Sequence, residues 1–591
     1  MRYFIKAATV GKGILFLLLA GLCIPSAAQK RLAVEAEHFR IEWQEKSDGY
    51  RISTVSTNSA SGRISLENPS GSYGFLYSAT KPDTVSLYET MPDYVRKFPG
   101  REYTLLYGRW RDNLRPVAMN TAGELVRFYP ASAMQKGDSI IFTRKTRQGT
   151  LQAVWRPSKQ FGSDIEVTMT LRAAVDGYFS LITPTLATLS EKEMAWGVIP
   201  GHFQGRKLEP NFVWSYGYGQ GIPDRPVVVR ERTATTLCPT LTDRQGLSFA
   251  VIPEPGQGRD PWTYDHSTQN EWRLGFSLMN RDRELTPSAY HPVLGQEDSY
   301  MRKGEIRTFR FRYTVQQGDW YALCSHAARD IYRFGDFLAL KEPRQSLTDR
   351  ILRMAEYLEK DSTSLWRTFD YRGDTIGAQE YNATVFEYER DAVKNSDYGA
   401  MWMLARITGN DTLRRTRLPY ARNFKIHQQV SGGPLSGAAA GQYYLWKSGR
   451  YTEEWGDYAE PIGTVYYIML DIGNMLLFNP GDAELREDLR RGAERLLAWQ
   501  YPDGHWEVAY DKATGKPVFR DLRDLRPTFY GLLVAYRLLG DERYLDAACR
   551  GADWFVANAV DEGSFLGVCG DFRFVPDFVI AQSAQALLDL Y

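Results

Sequence analysis

Residues 528–539 form a helix with no polar face. Phe529, Leu532, Leu533, Val534, Tyr536, Leu538 and Leu539 lie on nearly every side of it, and such a helix is stable only when buried all round. The next segment, 541–556, is amphipathic. Tyr544, Ala548, Ala552 and Phe555 recur at three- or four-residue spacing, as do Leu545, Cys549 and Val556, while Asp546, Arg550 and Asp553 face the other way. Gly540 supplies the stop between them. One hairpin therefore pairs an inner helix with an outer one.

The unit recurs. Residues 398–411 lay over 529–541 with one extra residue at the turn. A third copy spans 462–499, with its turn at Asn479, Pro480, Gly481 and Asp482, and an outer helix that carries Leu485, Leu489, Ala493 and Leu496 on one stripe. Residues 578–591 read as one more inner helix. Repeated hairpins with a buried inner member predict a ring of inner helices wrapped by outer ones; the alternative, an open solenoid, fits less well with inner helices so poor in polar residues. At one end the connections are only a few residues, around Gly409, Pro480 and Gly540. At the other they are long, over 430–461, 500–527 and 558–576. Long loops in a compact fold usually carry function. These precede the inner-helix N-termini, where the helix dipole is positive, so the site is expected there.

Residues 1–28 read as an export signal: Arg2 and Lys6, the apolar run ILFLLLAGLCI, then Ser26, Ala27 and Ala28 as a small-residue cleavage site. The run is too short to span a bilayer, and Leu22 before Cys23 fits a lipidation site poorly. The mature chain is expected in the periplasm or outside the cell. Its cysteines, Cys238, Cys324, Cys549 and Cys569, show no metal-ligand spacing, and Cys324 and Cys549 are expected on buried helix faces. The balance of 72 Lys and Arg against 71 Asp and Glu argues against a nucleic-acid or membrane-surface partner.

Before the hairpins the period is two. Ile165, Val167, Met169 and Leu171 alternate with Glu166, Thr168 and Thr170, and Phe309, Phe311 and Tyr313 alternate with Thr308, Arg310 and Arg312. Many short strands between turn residues predict a large antiparallel β-sandwich. Residues 319–334 and 346–360 turn helical, with Ser346 and Asp349 at capping-box spacing. The expected division is a signal peptide at 1–28, a β-sandwich at 29–318, a helical linker at 319–345 and an (α/α) toroid at 346–591.

A β-sandwich followed by a helical toroid, together with the Q-x-x-D-G-x-W run from Gln500 to Trp506 and the G-[DN]-x-x-x-L turns, resembles secreted carbohydrate-active enzymes of the six-hairpin glycosidase kind. Related scaffolds occur in polysaccharide lyases and uronosyl epimerases. The resemblance covers most of the mature chain, although roughly nine or ten helices are legible where six hairpins need twelve. It implies a carbohydrate substrate and no cofactor. These motifs specify architecture better than chemistry.

Glycoside hydrolysis needs two carboxyl groups, one protonated and one ionised. The densest acidic cluster is Glu453, Glu454, Asp457 and Glu460, interleaved with Trp455 and Tyr458, and Pro461 places Glu460 at a helix mouth. Asp397 and Asp524 precede other inner helices. The catalytic candidates are thus Asp397, Asp457, Glu460 and Asp524, each of which could instead cap its helix. Candidate substrate contacts are Glu454, Trp455, Tyr458, His505, Trp506, Arg526, Asp571 and Arg573, joined by His202 and Trp214 from the sandwich. Arg526 suits bidentate contact with a carboxylate or a hydroxyl pair. Asp471 and Asn474, inside an apolar helix, read as structural. No metal cage, phosphate loop or nucleophile elbow is evident.

The leading expectation is an exported glycoside hydrolase, with uronic-acid substrates in view. A lyase or epimerase would instead use Tyr458 or His505 as base, with Arg526 or Asn382 neutralising a carboxylate. A non-catalytic glycan-binding protein is the third reading.

Overall fold

The computed structural model describes residues 31–82, 119–210, 215, 220–259, 272–340, 344–381, 391–394, 398–453, 458–518, 523–566 and 578–591. The expected signal peptide, the Trp214 segment, Cys569, and Asp397, Glu454, Trp455, Asp457, Asp571 and Arg573 lie outside them, as does Asn382.

The first half is antiparallel sheet. A four-stranded meander over 31–65, a nine-stranded sheet and a seven-stranded sheet stack against one another. Their common core is aromatic. Trp43, from strand Phe39–Lys46, meets Trp155, from Gly149–Pro157, edge-on at 5.2 Å. Tyr313 stacks on Trp155 at 5.4 Å, and the Trp155 indole donates to the Tyr73 hydroxyl of the seven-stranded sheet at 2.6 Å. Trp155 thus ties three layers through one side chain, with its single polar group satisfied. The alternating stripes at Ile165–Leu171 and Phe309–Tyr313 point into this core. Arg312 breaks the pattern: it is buried, paired with Asp164 and Glu254.

Helix α1 (Trp320–His326) follows the last long strand. Asp319 caps it by accepting from the Ala322 amide, and it packs back on the nine-stranded sheet. Helix α2 (Leu347–Glu359) opens with the expected capping box, Ser346 with Asp349. Then the structure departs from a purely helical second half. Strands Trp366–Tyr371, Asp374–Tyr381, Ala392–Lys394, Tyr443–Leu445 and Arg450–Thr452 form a five-stranded antiparallel sheet. The hairpin between the first two turns on Arg372 and Gly373, both at positive φ (52° and 94°), as a two-residue primed turn requires.

The longer helices that follow are α3 (Tyr398–Thr408), α4 (Leu418–Gln428), α5 (Pro461–Phe478), α6 (Ala483–Trp499), α7 (Phe529–Leu539), α8 (Glu542–Phe555) and α9 (Phe578–Leu590). Helix α5 contains a π-helical turn at Val465–Met469. By length and composition it could cross a membrane, but 67% of it is buried in the chain's own core. Helices α5 and α7 run parallel and touch through glycine. A Cβ on Gly531 would sit 2.9 Å from Val465 and Met469, and one on Gly473 would sit 2.7 Å from Val534. Each glycine costs about 1 kcal/mol of helix propensity against alanine, which the close approach offsets. The wholly buried Lys425 of α4 is paired as a buried charge must be: it reaches the half-buried Asp471 carboxylate at 2.5 Å. Between α7 and α8, Gly540 takes the left-handed stop conformation.

The first copy of the hairpin packs differently from the others. Gly399, at the start of α3, lies against Asn474 near the end of α5, whereas Gly531, near the start of α7, meets the first half of α5. Sequence similarity between 398–411 and 529–541 thus conveys the helix–turn–helix shape and not its register in the array. Cys549 is exposed, because the buried stripe of α8 is Tyr544, Ala547, Ala548, Gly551, Ala552 and Phe555, and Cys549 falls just outside it.

Candidate functional site

The N-termini of α5 and α7 lie side by side, and their preceding loops are stitched together. Tyr458–Ala459 pairs with Tyr510–Asp511, and Ala509–Tyr510 pairs with Pro517–Val518. This small sheet holds Glu460 at the N-cap of α5, with Pro461 in the first helical position. The Glu460 side chain does not cap its own helix. It reaches the guanidinium of Arg526, which precedes α7.

Arg526 is the hub. Its Nη1 donates to Glu460 Oε2 at 3.0 Å, its Nε to Asp524 Oδ1 at 2.5 Å, and its Nη2 to the Val508 carbonyl at 3.0 Å. The Thr528 hydroxyl donates to the second Asp524 oxygen at 3.0 Å. All four side chains are buried: Glu460 keeps 8% of its surface, Asp524 3%, Arg526 2% and Thr528 1%. Burial raises the Asp524 carboxyl above its usual range, and Arg526 and Thr528 only partly oppose it. Burial by itself would weaken the Arg526 charge, but Asp524 and Glu460 reverse this and hold its pKa above the ordinary guanidinium value. One cation is thus shared by two carboxylates out of water, through charge-assisted hydrogen bonds.

This geometry separates the two carboxylates. Both oxygens of Asp524 are engaged, by Arg526 and Thr528, so Asp524 orients the arginine. Glu460 is the more exposed of the pair and stands at the positive end of α5. Glu453 is buried as well, at 6% exposure, and is not the solvated acid its place in an acidic run implies.

Other candidates fall elsewhere. Trp506 is a core residue: it is 4% exposed, donates its indole N–H to the Leu496 carbonyl at 2.9 Å, and packs on Gly551. That removes it from the substrate-contact set. His505 lies at hydrogen-bond distance from Asp503 (2.5 Å), stacks on Tyr501 at 4.3 Å and faces Trp554 of α8. Gln500 donates to the Ala547 carbonyl, and a Cβ on Gly504 would sit 2.3 Å from the Arg550 carbonyl. The Gln500–Trp506 run therefore clamps the loop onto the outer helix. Tyr458 is half-buried on the small sheet beside Glu460.

The sandwich touches this end of the helices. Gln204 Nε2 donates to the Gly563 carbonyl at 2.9 Å, and Trp196 packs so closely on Gly563 that a Cβ there would lie 2.2 Å from the indole. Leu566, a few residues on, donates its amide to the Leu525 carbonyl at 3.4 Å. His202, two residues before Gln204, is half-buried and meets Phe203 edge-on at 4.6 Å.

The five-stranded sheet, missed in the sequence, assembles an aromatic cluster around a lysine. Lys394 Nζ lies 4.1 Å from the Tyr381 ring and 5.8 Å from the Tyr443 ring, a cation–π arrangement. Tyr443 pairs with Thr452, next to Glu453. The Ala439 amide donates to Thr464 Oγ1, in the first turn of α5, at 3.1 Å. The loop that leads into the five-stranded sheet thus meets the first turn of α5. The signal was present in the alternation of Trp366-Arg-Thr-Phe-Asp-Tyr371 around an Arg-Gly turn. Among the described residues no group of His, Cys, Asp and Glu is arranged to hold a metal.

Compared with known families and with curated proteins, the sequence matches none. Solved structures similar to it include a polysaccharide lyase, at 10% identity over 94% of this chain and 74% of that one, with a TM-score of 0.31. The heparan sulfate lyase HepC from Pedobacter heparinus matches 49% of this chain and 37% of its own, at 9% identity and a TM-score of 0.21. A GalM/aldose epimerase homologue from C. elegans matches 49% of this chain over its full length, at 8% identity and a TM-score of 0.25. Scores this low carry no weight for activity.

Proposed function

We propose that the chain is an exported carbohydrate-processing enzyme, a glycoside hydrolase whose site lies at the loop end of a helical toroid. The observation that carries this reading is Glu460, a buried carboxylate at the N-terminus of an apolar helix, fixed by an arginine that a second carboxylate orients. Glu460 acts as one member of the acid–base pair, with Asp457 of the same acidic run as its partner; Asp397 is set aside, because Gly399, two residues on, packs against Asn474 near the opposite end of α5. Arg526 and Asp524 position Glu460. Tyr458, half-buried on the small sheet beside Glu460, offers a ring face of the kind that sugars stack on.

The lyase reading is the weaker one. Of its two neutralising candidates, Arg526 is already committed to Glu460, Asp524 and Val508, which leaves Asn382. Of its two candidate bases, His505 faces Asp503, Tyr501 and Trp554, which leaves Tyr458. The two reactions are told apart by incubating the full chain with uronic-acid-containing and neutral oligosaccharides and weighing the products. Hydrolysis adds one water per bond cleaved and elimination adds none. Products without added water overturn the hydrolase assignment, and unchanged substrates across the panel overturn the enzymatic one.

A further inference from the structure

Cys238 and Cys324 come from opposite sides of a junction. Cys238 stands just before strand Thr240–Asp243 of the nine-stranded sheet, and Cys324 is on the buried face of α1, the first helix after the sandwich. Docking of α1 on the sheet puts both thiols in one apolar cluster with Val198, Ala250, Ile252, Leu323, Ala327 and Ile331. Cys238 Sγ lies 3.9 Å from the carbonyl of Leu323, the residue before Cys324, and the neighbouring Cys324 thiol adds to the burial that raises the Cys238 thiol. Both are thiols in this structure, and both are buried, at 0% and 9% exposure. The exposed Cys549 stands apart from them.

We propose that Cys238 and Cys324 form a disulfide when the chain folds in an oxidising compartment, clasping α1 to the sandwich. The oxidant is a protein disulfide of the donor class found in such compartments. One cysteine thiolate attacks a donor sulfur, giving a mixed disulfide. The other then attacks its partner's sulfur, forming the Cys238–Cys324 bond and releasing the donor as a dithiol that carries away both electrons and both protons. Exchange precedes the docking of α1, because the docked helix covers both sulfurs. A bridge between residues this far apart in sequence restrains the unfolded chain strongly, and here it fixes the point where strand gives way to helix.

The test is made on the full chain exported to an oxidising compartment, denatured in an alkylating reagent without reductant, digested and weighed. The expected result is a linked peptide pair carrying Cys238 and Cys324, with Cys549 alkylated. Alkylation of Cys238 and Cys324 in full yield, or a link from either to another cysteine, overturns the proposal. A second measurement uses Cys324→Ala. Reductant is expected to lower the melting temperature of the wild-type chain by several degrees and to leave that of C324A unchanged. An equal response of both overturns the clasp.

Discussion

Arg526 Nη1 donates to Glu460 Oε2 at 3.0 Å across 66 residues of sequence. That bond joins the loop that starts α5 to the loop that starts α7, at the end of the helices where the connections are long. Because the pair is buried, each partner depends on the other. A guanidinium without its carboxylates, or the reverse, is an uncompensated charge out of water.

Arg526→Ala is expected to destabilise the chain by about 3–5 kcal/mol, the usual cost of leaving buried partners unpaired. Asp524→Asn is expected to cost less, because it keeps the shape and the Thr528 contact. Urea unfolding of the three proteins checks this. A loss under about 1 kcal/mol for R526A would mean that the cluster is wetter and looser than its geometry indicates.

Asp488 of α6 gives a pH prediction. It is fully buried beside Arg491, and burial pushes its carboxyl up to about 7 from an ordinary value of 3.8. The folded chain therefore holds this proton more tightly than the unfolded one. The associated stability is present below about pH 4 and is lost as pH rises toward 7. Asp488→Asn removes that loss, so its stability relative to wild type is expected to rise across this window, by roughly 2–4 kcal/mol. Melting temperatures at matched pH test it, and a constant difference from pH 4 to 8 would contradict it.

His326 reports on the junction. Burial alone lowers its pKa, but Asp164 at 3.1 Å and Asp330 at 2.7 Å outweigh burial and raise it. The protonated form is thus stabilised in the folded chain. Its contribution is complete below the ordinary histidine value of about 6.5 and is lost as pH climbs through the raised one. NMR titration of His326 is expected to give a midpoint above that ordinary value, falling when Asp330 becomes Asn. A midpoint below it would contradict the three-way contact with Asp164 and Asp330.

Gly563→Ala is expected to disturb the contact between the sandwich and the helices. The new Cβ would fall against the Trp196 indole, at a backbone φ of +65° that a side chain tolerates poorly. A loss of about 2 kcal/mol or more is expected, with part of it recovered in the double variant carrying Trp196→Ala. Strictly additive effects would place the strain elsewhere.

Sandwich strands and hairpin helices were legible because each has a single period, such as Ile165–Leu171 at two and Tyr544–Phe555 at three to four. The capping box at Ser346 and the stop at Gly540 were equally local. The five-stranded sheet was not recognised: its three-residue strands at Ala392, Tyr443 and Arg450 are too short to show a period, and they pair across wide sequence gaps. For the candidate site, the sequence showed acids near helix starts but not which were committed. Asp524 and Trp506 are engaged by partners, Thr528 and Leu496, that carry no motif. Lys394 belongs to an aromatic cluster that only strand pairing assembles.

The most direct test is turnover by Glu460→Gln on the oligosaccharide that the product screen identifies, with the melting temperature measured in parallel. The amide keeps the shape and a contact to Arg526 but can neither give nor take a proton in the carboxyl pKa range. If Glu460 is one of the acid–base pair, turnover falls by about 10²–10⁴-fold while the fold stays intact. Wild-type turnover by a folded E460Q would contradict the proposed site.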